Sequence, residues 1–204
     1  MRLLLSIFAS ALACVGVLLS AQGPKAVLDR AVDEFAQGRF AQSAVTFDEA
    51  AKMIPQEAPY LWQRGIALYY AGRYADCRRQ FESHRTVNPD DVENAAWHFL
   101  CVAREESPDK ARAALLPVGP DARVPMREVY QMFRGALTAD DVLKAAGNRP
   151  SGQFYAHLYI GLHSEALSRK DLALKHIREA ASERFAPVGG YMHMVARVHL
   201  GTLR

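Results

Sequence analysis

Apolar residues recur along this chain at intervals of three and four, the spacing that renews one face of an α-helix, and nowhere does a sustained strand alternation appear. The pattern is best formed over 58–91. There Tyr60-Leu-Trp-Gln-Arg-Gly-Ile-Ala-Leu-Tyr-Tyr runs into a Gly72-Arg-Tyr74 turn, then a second helical run through Phe81, then Asn88-Pro89. Counting back 34 residues returns the same marks: Gly38 for Gly72, Phe40 for Tyr74, Phe47 for Phe81 and Pro55 for Pro89. Four coincidences at one period predict two helix-turn-helix repeats, about 24–57 and 58–91. Ala31 and Gly65 are the small residues of the first helices, facing Ser43 and Cys77 of the second. Gly38 and Gly72 serve the tight turns, where positive φ is needed, and Pro55 and Pro89 stop the second helices.

Beyond Pro89 the period loosens, and 92–147 reads as shortened, irregular helical pairs. Asp90 or Asp91 caps a helix to about Arg104, with Ala96, Phe99, Leu100 and Ala103 as its apolar face. Ser107-Pro-Asp starts a short helix through Leu116, and Val118-Gly-Pro-Asp is a loop. Pro125 opens a helix to about Arg134, and Thr138-Ala-Asp-Asp caps another over 142–146. Asn148-Arg-Pro-Ser-Gly marks a break. A third recognisable pair lies within 154–187, its helices covering 154–167 and 171–181, with Gly161, Ala173, Ile177 and Ala180 at the small and apolar positions. Gly189-Gly190 then precedes a last helix over 191–200 that covers the end of the array. The expected fold is all-α, one domain over 22–204 with about eleven helices.

Residues 1–21 differ in kind: Arg2, an apolar run from Leu3 to Leu19, and Ser20-Ala21 before Gln22 read as an export signal cleaved after Ala21. A retained membrane anchor is the main rival, although about 17 apolar residues lie at the lower limit for spanning. Cys14, preceded by Ala11-Leu12-Ala13, raises lipidation as a third reading. Removing this segment takes away only Arg2 among charged groups, so the formal net charge falls from +3 by one unit, with arginines scattered. Nucleic acid is therefore not an expected partner. Cys77 and Cys101 remain, an even count that permits a disulfide in an exported protein; both sit inside predicted helices, where small buried thiols are also common.

The candidate chemistry is sparse. His98 and Cys101 share a helix face, and with His157, His193 or His199 they could ligate a metal or form a Cys–His pair. The six-residue spacings of His157 with His163 and of His193 with His199 point each pair apart. No HExxH, GxSxG, CxxC or phosphate-loop pattern is present. Glu105-Glu106 and Asp140-Asp141 fall at predicted helix ends, where solvation and the helix dipole account for them. No metal, cofactor or catalytic residue is expected, and an enzyme using the His98/Cys101 face stands as the alternative.

The 34-residue marks resemble tetratricopeptide repeats. Arg64-Gly-Ile-Ala-Leu-Tyr-Tyr, Asn88-Pro-Asp-Asp, the irregular middle and the late Phe154-Tyr-x5-Gly161 unit are similar to the bacterial NlpI-type tetratricopeptide lipoproteins over about 24–200. The resemblance implies a short right-handed solenoid and a homodimeric, non-enzymatic adaptor of the periplasm or cell envelope. Such adaptors bring peptidoglycan hydrolases together with a periplasmic protease. It also implies a concave groove lined by the first helices, here Leu28, Val32, Phe35, Trp62, Ile66 and Tyr69, suited to an amphipathic helix or extended peptide. Packing of these residues on the chain's own terminal helix, or on a second subunit, is the competing expectation. The Lys and Asn set with which some repeats clamp a terminal carboxylate is missing, since Leu28, Val32, Trp62 and Ile66 occupy those places.

Overall fold

The computed structural model describes residues 23–203, and within them all regular structure is helical. The apolar N-terminal run and Cys14 lie outside the described residues. Eleven α-helices follow one another: α1 (Pro24–Ala36), α2 (Phe40–Met53), α3 (Trp62–Tyr70), α4 (Tyr74–Arg85), α5 (Val92–Glu105), α6 (Pro108–Ala113), α7 (Met126–Phe133), α8 (Ala139–Ala146), α9 (Pro150–Ala166), α10 (Lys170–Ala180) and α11 (Ala186–Thr202). No helix of the described residues is long and apolar enough to cross a membrane.

Three pairs, α1 with α2, α3 with α4 and α9 with α10, are built on one plan. Each first helix ends in a residue with positive φ: Gly38 at 75°, Gly72 at 74° and Ser168 at 60°. In each case that residue's N–H donates three positions back and the next N–H donates five back, as in Gly72 to Tyr69 and Arg73 to Leu68. This closes the helix end by satisfying its orphan carbonyls. The approach within a pair is set by one small residue. A Cβ at Gly65 would stand 2.6 Å from the Phe81 ring, and one at Gly161 would stand 2.7 Å from Ile177. At Ala31 the facing group is the Ser43 hydroxyl, which donates to the Ala31 carbonyl at 2.7 Å.

Asp48 ties the first pair to the second, accepting from Arg64 at 2.6 Å and from Arg73 at 2.6 Å. Cys77 on α4 is disulfide-bonded to Cys101 on α5, their Cα atoms 5.9 Å apart. The helix expected to present one apolar face, α5, is instead enclosed nearly all round: it packs on α3, α4, α6, α7 and α9, and ten of its residues are buried. Its length and apolar periodicity were legible, but how many neighbours enclose it depends on tertiary packing. Asp91 caps it by accepting from the Glu93 N–H at 3.0 Å.

The middle follows the expected starts more closely than the expected lengths. Ser107 caps α6, which ends at Ala113 rather than near Leu116. Thr138 and Asp141 form a reciprocal capping box on α8. The break at 148 is only a turn, because Pro150 opens α9 four residues earlier than expected, its fixed φ and missing N–H suiting a helix start. Likewise α11 begins at Ala186 and is interrupted at Gly190, where φ is 49° and ψ is −132°.

Two long-range placements shape the molecule. The loop 114–125 lies across the α4–α5 turn: Arg85 donates to the Pro117 carbonyl at 2.9 Å and Gly119 N–H to the Pro89 carbonyl at 3.2 Å. A side chain at Gly119 would meet the exposed Asp90 carboxylate, which would have to turn aside. The second placement is α11, which packs on α10, α9 and α1 and crosses the first helices. Tyr191 lies against Phe35, with ring centroids 6.2 Å apart, and edge-on to Trp62 at 5.0 Å. His199 is held between the Tyr70 hydroxyl at 2.8 Å and the Glu165 carboxylate at 3.0 Å.

Candidate functional site

The six residues expected to line an open groove are largely spent on internal packing. Phe35 and Ile66 are fully buried and Tyr69 is 7% exposed, while Leu28, Val32 and Trp62 are partly buried against the core. The chain's own α11 covers part of this strip, Tyr191 lying on Phe35 and Trp62, while Tyr69 packs on Tyr74 and Trp97. What remains open is a cavity of about 200 Å³ beside Trp62, where α3, α4 and α5 meet the start of the helical run after Gly190. For scale, an engineered apolar cavity of roughly 150 Å³ accepts benzene.

Its walls are aromatic. Phe81 and Trp97 stack with planes 17° apart, and Trp62 and Met192 complete the apolar side. The other end is polar, and the loop 114–125 supplies half of it. Arg123 reaches Asp91 at 2.5 Å, Glu93 at 2.5 Å and Asp121 at 2.6 Å. Asp121 accepts the Val92 N–H at 3.2 Å, and Glu93 accepts from the Tyr159 hydroxyl at 2.5 Å, tying the cluster to α9. Three carboxylates around one guanidinium leave a formal charge of −2.

The titration behaviour follows from this crowding. Burial opposes the charge on Arg123, but Asp121, Glu93 and Asp91 outweigh it and drive its pKa upward. Burial raises Asp121 too, yet the hydrogen bonds from Arg123 and from the Val92 N–H bring it below the usual carboxylate range. Glu93 goes the other way: burial dominates, with Asp91 adding to it, and its pKa is raised despite Arg123. The end of the cavity is thus a strongly charged group flanked by one carboxylate that takes up a proton more readily than usual.

Between the aromatic and charged ends lie buried polar atoms with no partner. Asn94, 2% exposed, has both its Oδ1 and Nδ2 unpaired, and the indole Nε1 of Trp97 is unpaired as well. Native structures leave few such groups, since each costs desolvation without return. His84 faces the same space; its Nδ1 is 2.9 Å from the Pro59 carbonyl, so that nitrogen carries a proton and donates there. Asn94 and Trp97 therefore offer two donors and one acceptor beside an aromatic wall.

The histidine and cysteine set offered by the sequence is not assembled. Cys101 is committed to the disulfide with Cys77, which removes the thiol that a Cys–His pair needs, and His98 contacts Glu82 at 3.4 Å. His157 pairs with His176 at 3.0 Å, and His193 bonds the Ser182 carbonyl at 3.0 Å. No group of three or more His, Cys, Asp and Glu among the described residues is arranged to hold a metal ion. Of the acidic pairs, Asp141 is used in the capping box and Glu106 in an ion pair with Arg78 at 3.2 Å.

Sequence reasoning singled out Trp62 but missed Asn94, Trp97 and Arg123. The acidic run Asp90-Asp-Val-Glu93 was a visible signal, read there only as a helix cap. No family model matches the chain, and a search of curated proteins returns no match.

Proposed function

We propose that this chain is a non-enzymatic protein-binding adaptor of tetratricopeptide type, which takes a partner segment at the Trp62–Trp97 cavity. The repeat reading is supported by three helix pairs sharing one turn geometry and one close small-to-large contact at the same 16-residue offset, seen at Gly65 with Phe81 and Gly161 with Ile177. The observation that carries the binding reading is the unpaired, buried Asn94 amide beside the unpaired Trp97 indole in a preformed aromatic cavity. An amide with a free donor and a free acceptor pairs naturally with a peptide group. The aromatic walls and the −2 charge of the carboxylate end favour a partner that inserts a lysine or arginine side chain.

The resemblance to the NlpI-type family extends the proposal to a homodimeric adaptor exported to the periplasm or cell envelope. Two features support export: the apolar segment before Gln22, and the Cys77–Cys101 disulfide, a bond favoured in oxidising compartments. The test is capture from a native envelope extract with the full chain and with Asn94→Ala/Trp62→Ala. Retained helicity with loss of the captured proteins is the expected result. Unchanged capture by the variant would sink the cavity as the binding site, and a monomer by light scattering at high micromolar concentration would remove the dimer.

A further inference from the structure

A second cavity shares no residue with the first. It is a cleft of about 510 Å³ bounded by α6, the α7–α8 turn, α9 and the start of α10. Three arginines, Arg112, Arg134 and Arg169, line it, and no carboxylate does. Arg112 bonds Asp109 at 3.0 Å, a residue on the solvent side whose side chain is 92% exposed. Arg134 lies over the Tyr130 ring at 6.0 Å, and neither it nor Arg169 has a carboxylate partner among the described residues. Asp140, Asp141 and Asp171 lie beside its lining residues in sequence; none of them lines it, and Asp141 is held by Thr138.

The floor of the cleft carries a second sign. His163 lines it, is 8% exposed, and leaves Nε2 without a partner while its ring packs on Phe133 and Phe99. Burial, then the positive charges of Arg169 and Arg112, hold its pKa down to about 4. The ring is neutral near pH 7, and both arginines add to the effect of burial. Gly135 shapes the rim: its φ is 82°, and a Cβ there would sit 3.2 Å from Arg112 Nε, so glycine allows the arginine to lie across the turn.

We propose that this cleft binds a phosphate group. Arginine forks match phosphate oxygens in paired, charge-assisted hydrogen bonds, three of them suit a dianion, and the volume lies within the usual range for ligand sites. The rest of the ligand is either a soluble phosphorylated molecule or a phospholipid headgroup, and the two sources separate by experiment. Because no residue is shared, failure here leaves the aromatic cavity untouched, and failure there leaves this site standing.

The experiment titrates inorganic phosphate and glycerol 3-phosphate into the full chain at constant ionic strength, with chloride as control. Saturable binding is expected, weakened at least about tenfold in Arg112→Gln/Arg169→Gln, the loss expected for charge-assisted bonds. A second readout uses the unaltered protein: nitrogen NMR of His163 should show its pKa rising from about 4 as phosphate saturates, because the anion offsets the arginines. Vesicles of phosphatidylglycerol against phosphatidylcholine supply the last arm. Cosedimentation lost in the variant assigns a lipid headgroup, whereas phosphate binding without cosedimentation assigns a soluble ligand. No phosphate binding, binding that the double variant retains, or an unmoved His163 would overturn the site and leave an adventitious ion only.

Discussion

Replacing Asn94 by leucine sets stability against function in a single side chain. The residue is 2% exposed, and neither its amide oxygen nor its nitrogen has a partner. An unsatisfied buried polar group costs roughly 1–3 kcal/mol. Two such atoms would cost more if the cavity were dry, but a space of about 200 Å³ has room for water, which repays part of the penalty. Leucine is close in shape and has no polar atom to desolvate. Asn94→Leu is therefore expected to raise stability by about 1–3 kcal/mol, taking the lower end of the two-atom sum to allow for water. At roughly 2–4 °C per kcal/mol for a domain of this size, the melting temperature should rise by about 2–12 °C. The same variant should lose partner capture, because the group that was costly in the free protein is the one kept for the bound state. Urea unfolding and calorimetry measure the first effect, and capture from envelope extract the second. A variant destabilised by more than about 1 kcal/mol would show that the amide is satisfied in the native state, and the argument from orphaned polar atoms would fail. A stabilised variant with full capture would instead remove Asn94 from the binding site.

Gly65→Ala should destabilise by about 1–3 kcal/mol through overpacking against the buried Phe81 ring; the same change at Gly201, where nothing lies within 4 Å, should be neutral or slightly stabilising, and equal urea midpoints would refute the close-approach account. Ser168→Gly should stabilise by roughly 0.5–1 kcal/mol, since serine at φ 60° bears a left-handed penalty that Gly38 and Gly72 avoid at the matching turns; a fall in melting temperature would contradict it. For His163, the folded pKa of about 4 lies below the unfolded value near 6.5, so the unfolded chain takes up the proton first as pH falls. Its contribution is complete above about pH 6.5 and lost on the way to about pH 4, amounting to about 2–3 kcal/mol. As pH falls over that window the unaltered protein should lose that much stability relative to His163→Leu, and parallel profiles would refute the shift.

The parts of this protein governed by neighbouring residues were legible from the chain alone. Gly38 and Gly72 announce left-handed turns because only a residue without Cβ enters them freely, and the structure finds φ near 75° at both. The 34-residue spacing and the small residues at Gly65 and Gly161 announce paired helices for an equally local reason, that one missing side chain sets how closely two backbones approach. Asp91, Ser107 and Thr138 marked helix starts that the structure keeps. Ser168, at the matching turn of the third pair, conforms in backbone while departing in residue type.

Tertiary structure alone decided where the sites lie. The strip from Phe35 to Tyr69 could equally cover a partner or be covered, and α11 settles on part of it because an apolar helix tethered to the same chain buries that surface without the entropy cost of association. Arg123 reaches Asp91 and Glu93, and Asp121 the Val92 N–H, because a long loop lies over the α4–α5 turn, a contact between segments about thirty residues apart. Arg112, Arg134 and Arg169 look like scattered surface charges until three separate turns bring them to one cleft. Helix periods and caps depend on residues within one or two turns, so a sequence displays them. Sites are made by faces that meet through packing, and which face meets which is a property of the whole core.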